Sequence, residues 1–451
     1  MYSASIFNYY TVFRGKTVVF NSLTEILACI HECISPNAEG LNKYYNSTNE
    51  KIKQQLIEYG LVAKISDNEN EIAKIKFFDR IANKDLYYMI LPTYDCNFRC
   101  KYCYEDCKSE SKSFQKISMS EDMQKSITRH IRSTLGDYRC LIVEWHGGEP
   151  LLQLDIINKL SLEFIDIAAR LGKPFISTVT TNGFYLTEDV TKQMLKNHAV
   201  KFHVTIDGFD WNHDYYRPDA NGHPTFNTVM NNLISIKNGI KQKNFHVVLR
   251  TNITKRFLPF LDEWLKYISE HFSDDNRFQV YIKIVEDKGG DAINGIANDL
   301  LESEKELYDI IARSPHKNNY VNYYQNICSS ICSAAMRNKH IISPDGIIEK
   351  CGHQLFNPIT DVGIINEIGQ IKYDRNSFSR WINVNKERRG KCKDCVLWAS
   401  CYNSFCPLKT NFPKPQNDIA VCSGEHYNIE EVLTILLNPS NTSQNMIRHI
   451  G

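Results

Sequence analysis

Three cysteines stand close together in the first third of the chain: Cys96, Cys100 and Cys103, spaced C-x3-C-x2-C. Three thiolates in one short loop can hold a single iron–sulfur cluster, but they do not supply the four ligands that a ferredoxin-type cluster receives. One iron of such a cluster stays open to another ligand. The alternative is a structural zinc site with Cys107 as fourth ligand, although zinc pairs more often show C-x2-C spacing. The spacing therefore favours a cluster with an open iron.

Polar motifs follow several of the predicted strands. The cysteine loop itself comes after the apolar run 86–91, which ends at Pro92. The later motifs are His146-Gly-Gly-Glu-Pro150, Thr180-Thr-Asn-Gly183, Thr205-Ile-Asp-Gly208 with His213, Asp214 and Arg217, and Arg250-Thr-Asn252. Because an α/β barrel keeps its chemistry at the carboxyl ends of its strands, we expect these motifs on one rim.

Strand-like and helix-like runs alternate between residues 86 and 290, a pattern typical of α/β architecture. The predicted strands are 86–91, 141–145, 175–180, 202–206, 246–252 and 280–285. The predicted amphipathic helices are 121–135, 154–171, 188–198, 226–239 and 258–272. This order predicts an open, partial (β/α)6 TIM-type barrel.

The cysteine loop, with Tyr102 before its third cysteine and a Gly-Gly-Glu-Pro turn after the next strand, resembles the radical S-adenosylmethionine (SAM) family. In that family the loop holds a [4Fe-4S] cluster whose open iron binds the amino and carboxylate groups of SAM. The resemblance implies Cys96, Cys100 and Cys103 as the cluster ligands. It implies a SAM site formed by Tyr102, Gly147, Gly148, Glu149, Thr181, Asn182, Thr205, Arg217 and Asn252.

Three carboxylates on the expected rim are candidates for a general base. They are Asp207, Glu286 and Asp287, and only their position at strand ends selects them. The segment from Thr205 to Arg217 also resembles a pattern of the family's peptide- and protein-modifying branch. The alternative for Asp207 and Arg217 is a surface ion pair that fixes the loop.

Eight cysteines return in the last third of the chain, and their spacing resembles the SPASM domain, an auxiliary-cluster module of this family. A Pro344-Asp345-Gly346 turn predicts a hairpin near the first of them. The resemblance implies two [4Fe-4S] clusters, one held by Cys328, Cys332, Cys351 and Cys406, the other by Cys392, Cys395, Cys401 and Cys422. The Cys401-x4-Cys406 spacing departs from the family's C-x3-C. A zinc ribbon is the alternative for Cys392 and Cys395, because spacing alone does not identify the metal.

Residues 1–85 precede the barrel and are predicted to form a winged-helix-like module. The predicted elements are a hairpin of 9–13 and 17–20, helices over 23–34 and 49–59, and a second two-stranded wing of 61–65 and 72–77. Cys29 and Cys33 fall on the first of these helices and are expected to be buried core thiols. The module resembles the element with which peptide-modifying enzymes bind a leader peptide, where an exposed strand pairs with an extended peptide. The alternative is an extension that merely covers the barrel.

Residues 291–326 are predicted to be a helical bridge and 327–451 the SPASM domain.

The composition is that of an ordinary globular protein, with 451 residues, 42% hydrophobic and 23% charged. A net charge of +1 gives no electrostatic reason to expect nucleic acid or membrane as the main partner. The first residues lack a secretory leader, and no apolar run is long enough to span a bilayer. We therefore expect a cytoplasmic protein whose fifteen cysteines stay reduced.

A module for a leader peptide, an open barrel and auxiliary cysteines together resemble the SPASM-type maturases of ribosomally made peptides. The resemblance implies a 5′-deoxyadenosyl radical that removes a hydrogen atom from a precursor-peptide residue, and a crosslink that forms as a thioether, a C–C or a C–O bond. Auxiliary clusters suit such oxidative outcomes because they can accept the departing electron. A flavodoxin or ferredoxin is the expected low-potential reductase.

Two other functions stay open. An anaerobic sulfatase maturase makes formylglycine and uses an Asp directly after the cysteine of a Gly-x4-Cys motif, but Gly352 stands at that place here. The second open function is that of a non-catalytic iron–sulfur protein that binds peptides or carries electrons. The intact Gly-Gly-Glu-Pro and Thr-Thr-Asn-Gly segments argue against it.

Overall fold

The computed structural model describes most of the chain. The described residues are 1–105, 117–287, 292–301, 305–313, 332–355, 357–384, 388, 392–401, 406–412, 429, 433, 437 and 447–450. They divide into two compact units. Unit 1 comprises Met1–Ala82, Ser303–Ala335 and Asn383–Gly451, and unit 2 comprises Asn83–Glu302 and Met336–Ile382.

The strands and helices are numbered here in chain order. The strands are β1 Tyr2–Ala4, β2 Asn8–Phe13, β3 Lys16–Asn21, β4 Ile26–Ile30, β5 Val62–Lys64, β6 Asp85–Ile90, β7 Cys140–Trp145, β8 Phe175–Thr181, β9 Ala199–Thr205, β10 His246–Ile253, β11 Phe278–Ile284, β12 Lys339–Ile342, β13 Ile347–Glu349, β14 Asp361–Ile365, β15 Ile371–Tyr373 and β16 Ile447–Ile450. The helices are α1 Ala38–Ser47, α2 Glu50–Glu58, α3 Glu69–Ile81, α4 Glu121–Thr134, α5 Leu154–Arg170, α6 Glu188–Lys196, α7 Asp210–Tyr216, α8 Phe226–Gly239, α9 Leu261–Phe272, α10 Lys305–Arg313, α11 Arg375–Ile382 and α12 Pro407–Thr410. No described helix combines the length and the apolar character that crossing a membrane requires.

Unit 2 contains a ten-stranded sheet of order β11-β10-β9-β8-β7-β6-β12-β13-β14-β15. The strands from β6 to β11 are parallel neighbours, and α4, α5, α6, α8 and α9 lie between them in the chain. These are the strands and helices that the sequence predicts, so the α/β fold with a partial (β/α)6 barrel is confirmed.

Alternation along the parallel strands separates an apolar face from a polar one. In β7, Leu141, Val143 and Trp145 are fully buried, and Trp145 stacks on Phe164 of α5. Glu144 stands between two of them and therefore points to the opposite face of the sheet. The apolar face packs against the helices, which leaves the polar face for chemistry.

The sheet continues from β6 into a short antiparallel extension. β12 pairs parallel with β6, and β13 turns back on β12 through the predicted turn at 344–346. Gly346 has a φ of +86°, a conformation that side chains disfavour. The predicted hairpin is confirmed.

Unit 1 contains a four-stranded sheet of order β16-β4-β3-β2. The predicted hairpin is present as β2 and β3, and the predicted second helix is α2. One face of the sheet packs on α1 and α2, and the other packs on Leu433 and Leu437. Both faces of β4 are therefore covered.

Two secondary-structure predictions for residues 1–85 are wrong. The predicted helix 23–34 contains β4, because its apolar residues are buried on both sides of the sheet and pair with β3. Cys29 is buried as expected, but Cys33 is exposed, so its prediction as a core thiol is wrong. The predicted strand 72–77 lies within α3, whose N-terminus is capped by the Asn68 side chain accepting from the Glu71 N–H. β5 pairs instead with β1. That the module docks a leader peptide stays a prediction.

Candidate functional site

The cysteine loop follows β6 at its carboxyl end and is held along both of its sides by backbone hydrogen bonds. On one side lies the turn 146–149 after β7, and on the other lies the segment 216–220. The bonds join Glu149 N to Asp95 O (2.9 Å), Arg99 N to Pro218 O (2.9 Å), Lys101 N to Tyr216 O (2.9 Å) and Ala220 N to Asn97 O (2.8 Å). The loop is thus fixed by main chain from two directions.

The three thiols of the loop form a donor set that fits an iron–sulfur cluster. None of Cys96, Cys100 and Cys103 is in a disulfide. Burial raises the pKa of each thiol, and a bound metal deprotonates a coordinating thiol outright. The Cys96 Sγ accepts from the backbone N–H of Phe98 at 3.4 Å. Hydrogen bonds of this type to sulfur tune the potential of a cluster.

Two glycines allow the turn after β7 to lie directly on the cysteine loop. A Cβ at Gly148 would lie 2.3 Å from the Asp95 carbonyl oxygen, and one at Gly147, where φ is +123°, would lie 2.5 Å from that of Thr93. Any side chain would push the turn and the loop apart. These two positions therefore hold the turn in place.

Glu149 is fully buried and accepts hydrogen bonds from three donors. They are the Leu151 N–H (3.0 Å), the Thr181 hydroxyl (2.7 Å) and the Asn182 N–H (2.7 Å). Burial raises the pKa of this carboxyl to about 7, against the opposing effect of these donors. The carboxylate therefore joins the turn after β7 to the end of β8.

Tyr102 connects the cysteine loop to the ends of β9 and β10. Its hydroxyl donates to the Asp207 carboxylate and accepts from Arg217 Nη1 (2.8 Å) and from Asn252 Nδ2 (3.2 Å). The Asn252 N–H also donates to Asp207 Oδ1 at 2.8 Å. Tyr102, Asp207, Arg217 and Asn252, which come from three sequence motifs, thus form one network, which we call the Tyr102 network.

The charged members of the Tyr102 network are buried. Asp207 is 1% exposed and Arg217 is 7% exposed, so a surface ion pair is not what they form. Burial raises the pKa of Asp207, and the Arg217 guanidinium opposes that rise. The Nε of Arg217 has no partner among the described residues. Because an unpaired buried donor is costly, this atom is suited to an acceptor on a bound molecule.

Comparison with known proteins agrees with this geometry. Residues 90–263 match the model of the Radical SAM superfamily. The chain contains a radical SAM domain. Members of this superfamily are enzymes, and their fold uses SAM and a [4Fe-4S] cluster, so the predicted enzymatic class and these cofactors are confirmed. The cysteine-rich C-terminal part fits auxiliary clusters.

Several of the relatives found are sulfatase-maturating enzymes, and others are GTP 3',8-cyclases. The chain is 25% identical over 368 residues to the cysteine-type anaerobic sulfatase-maturating enzyme of Clostridium novyi (strain NT), an alignment that covers 75% of this chain and 93% of that protein. Native anSMEcpe with bound AdoMet has a similar fold, with a TM-score of 0.58 at 16% identity over 78% of this chain and 96% of that one. Native anSMEcpe with bound AdoMet and Cp18Cys peptide gives a TM-score of 0.57 at 17% identity, with the same coverage.

Other predicted site residues lie around the radical SAM domain's rim. Asn182, after β8, donates to the Asn97 side chain at 2.8 Å, and its Nδ2 lies 3.9 Å from Cys96 Sγ. Thr205 ends β9. Glu286 and Asp287 follow β11, where Glu286 lies 3.5 Å from Lys283. The base among the three candidates stays a prediction.

The predicted auxiliary-cluster ligands are only partly described. Cys328 and Cys422, and also Cys107, lie outside the described residues. Cys332 belongs to unit 1 and Cys351 to unit 2, and both are buried. Cys392 and Cys395 pack beside Phe7 and Trp398 within unit 1, and Cys401 and Cys406 are half-buried. The division of these cysteines between two clusters stays a prediction.

The polar face of the barrel carries residues that the sequence analysis missed. The Tyr87 hydroxyl donates to Glu144 Oε2, and the Thr180 hydroxyl donates to Glu144 Oε1 at 3.2 Å. His203 lies near this carboxylate, and burial lowers its pKa to about 4. A charged residue alternating with apolar ones, as Glu144 does in β7, is the signal that could have identified this polar face.

Proposed function

We propose that this radical SAM enzyme is a peptide maturase that installs a crosslink in a precursor peptide. One observation carries the proposal: motif residues from the ends of five neighbouring strands, β6 to β10, meet at one rim, where the Tyr102 network and Glu149 connect them. Tyr102 lies between Cys100 and Cys103, so the cysteine loop is itself part of this rim. The similarity to maturases supports a peptide or protein substrate.

We assign residues to the cofactors by their positions on this rim. Cys96, Cys100 and Cys103 would hold the [4Fe-4S] cluster, and Gly147 and Gly148 would keep the turn after β7 close against the loop where SAM binds. When bound, these cofactors supply a 5′-deoxyadenosyl radical that takes a hydrogen atom from a substrate carbon. Glu149 and the Tyr102 network position the loop, and the unpaired Nε of Arg217 offers a donor to the bound cofactor.

Strand β2 lies at one edge of the four-stranded sheet in unit 1. β2 pairs with β3 on one side, and within the described part of the chain no strand pairs with its other side. An edge strand offers main-chain N–H and C=O groups to an extended peptide, which is how many peptide-binding modules gain affinity. We infer that a leader peptide adds beside β2.

The second candidate function is the formation of formylglycine. The similarity to sulfatase-maturating enzymes along three quarters of the chain favours it. Position 352, where the resemblance places that family's base, carries no carboxylate. A Cβ at Gly352 would lie 3.2 Å from the terminal methyl of Met89, so a side chain there requires only a small shift of a flexible neighbour. Glycine is therefore not enforced there by backbone crowding, and its presence favours the crosslinking function.

The experiment uses protein reconstituted anaerobically with iron and sulfide, together with SAM, dithionite and a candidate precursor peptide. We expect two products, 5′-deoxyadenosine and a crosslinked peptide. The peptide should have lost two hydrogens and should resist alkylation or fragmentation at the linked residues. It should not react with a hydrazide probe. Formylglycine would react with the hydrazide because it is an aldehyde. A hydrazide-reactive product would transfer the assignment to the second candidate. Absence of 5′-deoxyadenosine at full iron content would refute both.

A further inference from the structure

Three side chains of metal-binding type stand on one face of the four-stranded sheet in unit 1. Cys29 belongs to β4 and His31 follows it two residues later, so both point to the same side. His449 belongs to β16 and is the direct register partner of Cys29. Partners in register point to the same side of a sheet. The sheet therefore brings together residues that are separated by more than four hundred positions in the chain.

The ligand atoms of these residues lie close enough to share one ion. One nitrogen from each histidine and the Cys29 sulfur all lie within 4.8 Å of one another. The His31 Nε2 and the His449 Nδ1 are 2.9 Å apart. With Zn–N bonds of about 2.0–2.1 Å, two ligands of a tetrahedral site are separated by roughly 3.3 Å. An ion would therefore need to open this pair by only a few tenths of an ångström.

The burial of the three residues suits a site that is reached from solvent. Cys29 is 8% exposed and packs in the core cluster around Leu433 and Leu437, whereas both histidines are exposed. A buried sulfur with two solvent-facing imidazoles gives an ion three protein ligands and leaves a fourth position for water. Cysteine with two histidines is a ligand set that zinc accepts.

One neighbour works against metal binding. The Lys16 ammonium lies 2.8 Å from the His31 Nδ1. A metal at Nε2 requires the His31 proton to sit on Nδ1, where it would face that ammonium. Lys16 therefore has to turn away before an ion binds. The competing interpretation is a plain hydrogen-bonded chain from Lys16 through His31 to His449. A zinc site predicts tighter zinc binding when Lys16 is replaced, whereas the hydrogen-bonded chain predicts no gain.

We propose that Cys29, His31 and His449 form a zinc site that joins β16 to β4. β16 is an edge strand of only four residues in the described chain, and zinc bound across the pair would fix it to the sheet. The three residues belong to unit 1, whereas the radical SAM loop belongs to unit 2. Its function is to secure the C-terminal strand.

The test is zinc binding by reconstituted holoprotein in equilibrium dialysis, with iron measured in the same samples. We expect His449→Gln and His31→Gln to bind one zinc fewer per chain than the wild type, with unchanged iron content and 5′-deoxyadenosine formation. His246→Gln, which changes an exposed histidine at the start of β10, is the matched control and should bind zinc as the wild type does. Lys16→Gln should bind zinc several-fold more tightly.

Zinc-edge X-ray absorption then identifies the ligands. We expect a shell of one sulfur near 2.3 Å and nitrogen or oxygen near 2.0 Å, which is lost from His449→Gln. Equal zinc content in His449→Gln and wild type would overturn the proposal. So would a Lys16→Gln protein whose zinc affinity is unchanged or lower, because a lysine that competes with the ion for His31 predicts a gain in affinity.

Discussion

Replacing Glu149 by Gln tests whether hydrogen bonds to this carboxylate assemble the rim. The carboxylate accepts two backbone N–H donors and one hydroxyl, whereas a Gln amide offers a single oxygen. In Glu149→Gln an NH2 group must therefore face at least one of the N–H donors. A hydrogen bond to a charged group contributes about 1.5–3 kcal/mol, and a buried donor left unpaired costs about 1–3 kcal/mol. These two figures partly describe the same lost bond, so we expect the assembled rim to lose about 2–4 kcal/mol rather than their full sum.

That loss converts directly into an expected rate. At about 1.4 kcal/mol for each factor of ten, SAM cleavage should slow by roughly 30- to 900-fold. The assay is 5′-deoxyadenosine formation under dithionite, together with SAM affinity and the melting temperature. It is run at pH 8, because the pKa of Glu149 is about 7 and the wild-type carboxyl is then mostly ionised. Glu121→Gln, at the exposed start of α4, is the control and should behave as the wild type does.

The three readouts separate two roles of Glu149. A carboxylate that positions the turn predicts a lower melting temperature and lower SAM affinity together. A carboxylate that touches only SAM predicts lost affinity at an unchanged melting temperature. Wild-type rate and affinity in Glu149→Gln would refute the reasoning altogether, because the three donors would then contribute nothing to the rim.

Three further predictions address the loop, the auxiliary cysteines and the pH dependence. Cys100→Ala should abolish 5′-deoxyadenosine formation. Cys395→Ala should still form 5′-deoxyadenosine but should yield no crosslinked peptide. As much peptide product from Cys395→Ala as from the wild type would contradict the auxiliary role of Cys395. Gly148→Ala should lower the iron content of the reconstituted protein, because its Cβ would lie 2.3 Å from a carbonyl oxygen. Gly136 has open space around it, so Gly136→Ala is the control and should keep its iron. Full iron in both variants would contradict the steric argument. Burial holds the pKa of His213 well below 6.5. Below pH 6.5 the unfolded chain therefore binds a proton that the folded chain does not, and the free energy of unfolding should fall by about 1.4 kcal/mol per pH unit. Above pH 6.5 this residue should have no effect on it. Melting curves of wild type and His213→Gln check this, and equal slopes would exclude His213 as a cause.

The barrel could be predicted from the sequence because several of its strands, among them β7, β8 and β11, are short runs in which buried residues alternate with more exposed ones. In β7 the residues Leu141, Val143 and Trp145 alternate with others, and turn residues follow. The same logic failed for 23–34. There the residues of β4 are apolar on both faces, since α1 and α2 cover one face and a distant C-terminal segment covers the other. A run without alternation does not distinguish a buried strand from a helix.

The site was predictable as a set of residues but not as a network. The sequence motifs identified Tyr102, Asp207, Arg217 and Asn252 as site residues. They do not show which of these side chains contact one another across the strand ends. The hydroxyl of Tyr102 binds to all three of the others. Cys29 and His449 illustrate the same limit, because only the register of β4 against β16 places them side by side.

The Tyr102 network also bears on where the general base lies. Asp207 accepts the Asn252 N–H on Oδ1 and the Tyr102 hydroxyl on Oδ2, so both of its oxygens already have donors. Removing a proton from a substrate would break one of these bonds and release the loop that carries the cysteines. A carboxylate in this position is better suited to holding the loop than to taking protons. Glu144 also has a donor on each oxygen, the Tyr87 and Thr180 hydroxyls, but neither donor belongs to the cysteine loop, so taking a proton would not release that loop. The Glu144 carboxylate lies on the polar face of the barrel, and although burial opposes ionisation, the neighbouring His146 and Lys339 hold its pKa below the ordinary value. Glu144→Gln should therefore keep SAM cleavage and reduce peptide product, whereas Asp207→Asn should reduce both, and a variant of Asp207 that cleaves SAM normally would return it to the list of bases.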